Sequence, residues 1–279
     1  MEGSGCLVRL LKNEWCKMFA KKSTWLMLVI EPLIILVVAL VGRLAAHEAH
    51  APRVEANDLL QTLGSGLLPS LVSLFVVVVM AASVAEEFSY GTINSLLTQA
   101  HSRLGILNAK FAACLGYAFV VNAMAILSSW LVGSLVLGFQ SPLRTALGFP
   151  HHLTVLEVAI GIAVSNWIMD CLYGAVTFFI SVAIHSEGIA IAVGLGTLFM
   201  NTLVNSFFLM LMERPHWYWL KWLPFNLFNL RSKFQFIGAG VHLDPWDLSY
   251  PQMVGAILVY STFFYLLSLW IFRRQDIVA

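Results

Sequence analysis

Apolar residues in this chain gather into long blocks instead of alternating with polar ones. A bilayer span needs roughly 20 mostly apolar residues. Six blocks meet that length: 24–42, 64–85, 111–137, 155–184, 188–212 and 252–272. The 155–184 block is longer than needed, which predicts a tilted helix or one that runs partly outside the hydrocarbon. Residues 6–20 behave differently and have amphipathic helical periodicity. Leu7, Val8, Leu11, Trp15, Met18 and Phe19 share one face, with Arg9, Lys12, Asn13 and Lys17 opposite. That pattern predicts a helix lying in the membrane interface. Lys21 and Lys22 mark its edge with the first span. The expected fold is all-α: a polytopic membrane protein with six transmembrane helices. An N-terminal amphipathic interfacial helix (1–23) precedes them, and a membrane-dipping helical segment stands before the last span. One transmembrane domain covers 1–279.

Composition agrees with the pattern. The chain is 59% hydrophobic and 11% charged, whereas a soluble domain carries about 25% charged residues. A net charge of +1 makes no case for nucleic acid. Cys6, Cys16, Cys114 and Cys171 lack CxxC spacing and read as free thiols, not a disulfide framework or a metal site. The N-terminus does not read as a cleavable signal, because its charged stretch of 23 residues precedes a run that can span a bilayer.

Lys and Arg near span ends set orientation. Arg9, Lys12, Lys17, Lys21, Lys22, Arg103, Lys110, Arg273 and Arg274 put nine on one side. Arg43, Arg53 and Arg144 put three in the short opposite loops, and the longer 213–251 segment holds four more but is a weaker witness. A multi-pass protein of the cell membrane with both termini cytoplasmic follows.

Two connections stand out. Residues 86–110 form the largest cytoplasmic loop. Glu86 and Glu87 close the second span, Gly91 permits a sharp turn, and Thr92 can cap a short helix. In that helix Ile93, Leu96 and Leu97 share one face, suited either to a groove on another protein or to the chain's own span ends. Residues 213–251 lie outside and hold ten aromatic residues between 217 and 250, among them Trp217, Trp219, Trp222, Phe225 and Phe228. Aromatic rings favour the membrane boundary. The segment reads as short helices dipping into the outer leaflet, serving as an anchor or as the lining of a lateral exit.

Polar residues inside spans are costly, about 2.5–3.5 kcal/mol for a central aspartate, and mark sites worth testing. Asp170 lies at the middle of the fourth span, one turn after Asn166. Glu31 lies in the first span beside Pro32, and Asn122, Asn201 and Asn205 are further examples. Glu31, Asn166, Asp170 and Asn205 are the candidate translocation-path residues; each also has a structural reading as a hydrogen-bonded or protonated group. In the fifth span Ala190 with Gly194, and Ala192 with Gly196, have spacing for close helix approach, with internal packing favoured over dimerisation.

Enzyme signatures do not assemble. His47-Glu48-Ala49-His50 has histidines at i and i+3, not the i and i+4 of a zinc helix. Glu86-Glu87 is followed by Gly91 where an intramembrane protease of the prenyl-peptide class would carry arginine. His151 and His152 read as loop residues. A P-loop needs a Gly-Lys pair, and none occurs in the chain.

A Glu ending span two, then Gly91-Thr92, the paired Leu96-Leu97, Ser102-Arg103 and Lys110 opening span three resembles the permease subunit of type-2 ABC exporters. The amphipathic first helix, six spans and the dipping segment extend the resemblance over essentially the whole chain. The family often has proline before the Ser-Arg pair; here Gln99-Ala100-His101 stands there. The resemblance implies that Glu86, Glu87, Gly91, Thr92, Ile93, Leu96, Leu97 and Arg103 couple to a cytoplasmic ABC ATPase. Two ATPase subunits would bind ATP and Mg, with no cofactor in this chain. The other partners would be a second permease copy or paralogue and the lipid bilayer. It implies export, in a bacterial cell; the apolar core and aromatic outer segment suit an amphipathic or lipid-like cargo, with a toxin or antimicrobial peptide favoured. Drugs, lipid-linked glycans and polysaccharides are the alternatives. An intramembrane enzyme built on Asp170 and Glu31, or a non-transporting membrane subunit, is the alternative class.

Overall fold

The computed structural model describes residues 2–48, 55–62, 67–89, 103–146, 153–184, 186–212, 214–231 and 248–274. Among them the regular structure is helical: α1 (Glu2–Ala20), α2 (Lys22–Glu48), α3 (Ala56–Thr62), α4 (Leu67–Ser89), α5 (Arg103–Leu137), α6 (Val155–Ile184) and α7 (Glu187–Met212). A 3₁₀ helix (Pro215–Trp222), the short α8 (Pro224–Leu227) and α9 (Tyr250–Arg274) complete the order. Six of these, α2, α4, α5, α6, α7 and α9, are long and apolar enough to cross a membrane.

The long blocks become helices because an apolar medium offers backbone groups no partner but each other. α5 is the longest at 35 residues, about 52 Å at 1.5 Å per residue. That exceeds the roughly 30 Å of hydrocarbon, so α5 cannot be a membrane span throughout. The 86–110 loop is accordingly shorter than the sequence suggested: Glu86–Ser89 finish α4, and Arg103–Lys110 are the first two turns of α5.

α6 is central and packs on α4, α5, α7 and α9. Close approaches occur where a side chain is missing. A Cβ on Gly174 of α6 would lie 2.6 Å from Met80 Cε of α4. One on Gly194 of α7 would lie 2.6 Å from Val77 Cγ1 and 3.0 Å from Thr177 of α6. The Ala190–Gly194 face of α7 is therefore internal, whereas Ala192 is exposed and Gly196 meets nothing. The outward faces of α2, α7 and α9 stay apolar, with Val37, Leu203 and Val259 among the exposed side chains.

α1 turns sharply into α2, and the corner is capped. Thr24 Oγ1 donates to Met18 O at 2.7 Å and Trp25 Nε1 to Phe19 O at 2.7 Å. Two terminal carbonyls of α1, which no later turn can satisfy, thus find donors in the first turn of α2. The face that α1 buries is rotated from the sequence expectation. Leu10, Glu14 and Met18 are buried, Trp15 and Phe19 partly so, while Val8 and Leu11 are exposed. The reason is α5: Leu10 joins Ile106 and Ala109, and Trp15 lies over Gly116, where a Cβ would approach its ring to 2.7 Å. Val8 and Leu11 remain apolar on the outer side.

Candidate functional site

Six charged side chains at the α1 end of the bundle are joined in ion pairs. Lys110 of α5, 4% exposed, donates from Nζ to Glu14 Oε2 at 2.7 Å and to Glu87 Oε1 at 2.6 Å. Lys17 of α1 donates to Glu14 Oε1 at 2.9 Å and reaches Glu87 Oε1 at 3.2 Å. Lys21, at the α1–α2 corner, pairs with Glu86. Three ammonium groups meet three carboxylates, and their formal charges cancel.

Each member has a local reason for its place. Glu14 is the acid within the stripe that α1 lays on α5. Glu86 and Glu87 stand where α4 leaves the apolar run, and Lys110 stands where α5 enters its own. A buried ammonium is tolerated only with partners, and two carboxylates supply them. Burial alone would raise the Glu14 pKa. The charge and hydrogen bonds of Lys110, then of Lys17, outweigh it and hold the carboxyl below its ordinary 4.5. Lys17 is the converse case: burial pulls it down, but its bonds to Glu14 and Glu87 leave it above its ordinary value.

The clamp fastens three elements: α1, the end of α4 and the start of α5. Between the last two lie residues 90–102, which hold five of the residues assigned to coupling, Gly91, Thr92, Ile93, Leu96 and Leu97. These lie outside the described residues. Arg103 is the first residue of α5. Glu14, Lys17, Lys21 and Lys110 were not among the proposed site residues, though a signal existed. An acid at position 14 on a helix that lays apolar side chains on its neighbour requires a cation there.

A second polar cluster lies inside the bundle. Asp170 is fully buried; Ser73 Oγ donates to its Oδ1 at 2.6 Å, and Asn122 Nδ2 to its Oδ2 at 2.8 Å. α4, α5 and α6 each contribute one member. Asn166 is buried on the same helix. Asn205 exchanges a reciprocal amide pair with Asn229, at 3.0 and 2.7 Å, tying α7 to the residues after α8. Glu31 is 2% exposed on α2 and shares no hydrogen bond with this cluster. Asp170, Asn205 and Glu31 are therefore not joined by hydrogen bonds to one another.

The aromatic segment divides into two. Trp217, Trp219 and Trp222 are exposed, with the first two stacked at 6.4 Å. Phe225 stacks on Phe208 of α7 at 4.9 Å, and buried Phe228 stacks on Tyr173 of α6 at 4.0 Å. The phenylalanines hold the segment down, and the indoles face away from the bundle. Arg231 follows, with its guanidinium pKa lowered by burial and supported by the Tyr173 and Asp170 side chains.

Six apolar helices of membrane-crossing length, with an amphipathic first helix ionically fastened to two of them, define a multi-pass α-helical membrane protein. The chain belongs to the family described as "Protein of unknown function (DUF2705)", whose model matches residues 35–278. It is also similar to the Bacillus subtilis (strain 168) protein called "Uncharacterized protein YhcI", at 21% identity over 97% of this chain and 99% of that one.

Proposed function

We propose that this chain is the membrane-spanning subunit of an ATP-driven, type-2 ABC exporter. It pairs with separate cytoplasmic ATPase subunits and a second permease copy or paralogue. Its cargo is amphipathic, in the favoured case a toxin or antimicrobial peptide, and moves out of the cell. The observation that carries this reading is the clamp. Lys110 and Glu87 fasten the helices flanking the 90–102 segment to each other; Glu14 ties Lys110, and Lys17 ties Glu87, to α1. A push on that segment by a closing ATPase is therefore delivered to α1, α4 and α5 together. Motion is transmitted only by an element with stiff attachments, and a pair of buried charges supplies one.

Two further features fit. The chain has no Gly-Lys pair with which to hold a nucleotide phosphate, so ATP and Mg belong to the partner. The exposed indoles of the 3₁₀ helix offer an apolar face at the opposite end of α7, suited to the apolar side of a departing peptide.

The test is the double substitution Leu96→Asp with Leu97→Asp, which places charge in an apolar contact. The expected outcome is a permease that still inserts but loses ATPase assembly or substrate-stimulated hydrolysis. Unchanged assembly and transport would refute the coupling assignment. The chain purified alone is expected to show no ATP turnover.

A further inference from the structure

The inner stripe of α2 is formed by Thr24, Leu28, Glu31, Ile35 and Ala39, all buried. Thr24 is satisfied by Met18 O, and Leu28, Ile35 and Ala39 need no partner. Glu31 is the exception, since neither of its carboxylate oxygens has a hydrogen-bond partner. It lies nine residues beyond Lys22, about 13 Å along the helix, and so well within the hydrocarbon.

Among the described residues no cation is paired with it. α2 packs on α5, α4 and α1. On α5 the facing titratable group is Tyr117, whose hydroxyl contacts Met27 Sδ at 3.9 Å, one turn before Glu31. Cys114 lies one turn further down α5, and Lys110, further still, is held by Glu14 and Glu87. α4 carries no ionisable side chain except Glu86 and Glu87 at its end. On α1, Lys17 is paired with Glu14 and Glu87; at the corner Lys21 is paired with Glu86. Pro32 adds a second acceptor: it has no N–H, so the Leu28 carbonyl loses its helical donor. The one hydroxyl facing this stretch among the described residues, that of Tyr117, donates to Met27 Sδ, so these acceptors are left without a donor there.

We propose that Glu31 is a proton-binding site inside the membrane, held as a neutral carboxylic acid against the wall formed by α4 and α5. The proton supplies the missing donor and removes a charge that low-dielectric surroundings penalise heavily. Proton binding is consequently linked to the seating of α2: loss of the proton puts an unpaired carboxylate on the stripe that docks the helix. Asp170 differs, because each of its oxygens already receives a donor. The inference rests on the structure of this chain and not on the transport reading.

A neutral acid in hydrocarbon reacts with dicyclohexylcarbodiimide, an apolar reagent. The acid O–H adds across one C=N bond, oxygen to carbon and proton to nitrogen, giving an O-acylisourea. Acyl migration from oxygen to nitrogen then gives a stable N-acylurea, with nothing else consumed or released. The full chain in lipid vesicles is treated with this reagent and its peptides are mapped by mass spectrometry. One adduct on Glu31 is expected, with none on Asp170 and none in Glu31→Gln. Labelling is expected to be the same in sodium chloride and in choline chloride. An unlabelled Glu31 in the wild-type chain overturns the proposal, whether or not the variant folds. Suppression by sodium alone also overturns it, and assigns the site to a metal cation. As a second measurement, the infrared carbonyl band of a protonated acid must be present in wild type, persist in Asp170→Asn and disappear in Glu31→Gln; any other pattern contradicts the proposal.

Discussion

At the scale of single residues the clamp makes the sharpest demands. Lys110 is held by two carboxylates and is almost without solvent. Removing one partner of a buried ion pair costs about 3–5 kcal/mol, because the survivor is left uncompensated. Lys110→Met is expected to destabilise the chain by about that much in a denaturant titration in detergent. Adding Glu14→Gln, which deletes one of the two carboxylates then left to share Lys17, is expected to return part of the loss. Strictly additive costs in that cycle would mean the two residues are not coupled. The pH dependence follows from the same groups. The pKa of Glu14 is lowered on folding, so its contribution is fully present above the ordinary 4.5 and is lost as pH falls through the depressed value. Lys17 is raised, so its contribution is full below its ordinary 10.5 and fades only as pH rises beyond it. Amide hydrogen exchange of α1, corrected for the intrinsic rate, is expected to show constant protection through neutrality and a loss confined to pH below 4.5. A loss centred near pH 7 would contradict these assignments.

At the scale of elements, two glycines that look alike in sequence are predicted to behave differently. An added methyl on Gly174 meets Met80 Cε, the free end of an unbranched side chain. One on Gly194 meets Val77 and Thr177, both β-branched and stiff at χ1. Gly194→Ala is therefore expected to cost about 1–3 kcal/mol by overpacking, with Gly174→Ala distinctly milder. Equal costs in thermal unfolding would show that α4 and α7 have more freedom than this packing allows. The aromatic segment yields a parallel contrast. Phe228→Ala empties a stacked, buried position and is expected to cost about 3–5 kcal/mol. Trp219→Ala and Trp222→Ala remove exposed rings and are expected to leave stability nearly unchanged while reducing export of bulky apolar substrates. If the indoles only anchor the segment, those two variants will instead lower stability and affect all substrates alike.

At the scale of the whole molecule, the six spans were legible because hydrocarbon imposes one simple rule on backbone groups, and block length alone reveals compliance. What block length cannot reveal is which side of each span faces a neighbour. Glu14, Glu87 and Lys110 are separated by tens of residues, and only the meeting of α1, α4 and α5 makes them one group. Asp170 was recognisable as a costly midspan residue, but its donors Ser73 and Asn122 come from two other helices and carry no local signature. The face of α1 was misjudged for the same reason: an isolated amphipathic pattern shows that two faces exist, not that α5 takes Leu10 while Val8 is left outside. The central claim is that the 90–102 segment, fastened at both ends by the clamp, docks on a cytoplasmic ATPase. The most direct measurement places a photoreactive amino acid at position 96, irradiates living cells and identifies what is joined to it. The account predicts an adduct with a protein that carries a P-loop, lost when Leu97→Asp is added. Adducts confined to this chain's own span ends or to lipid would contradict it.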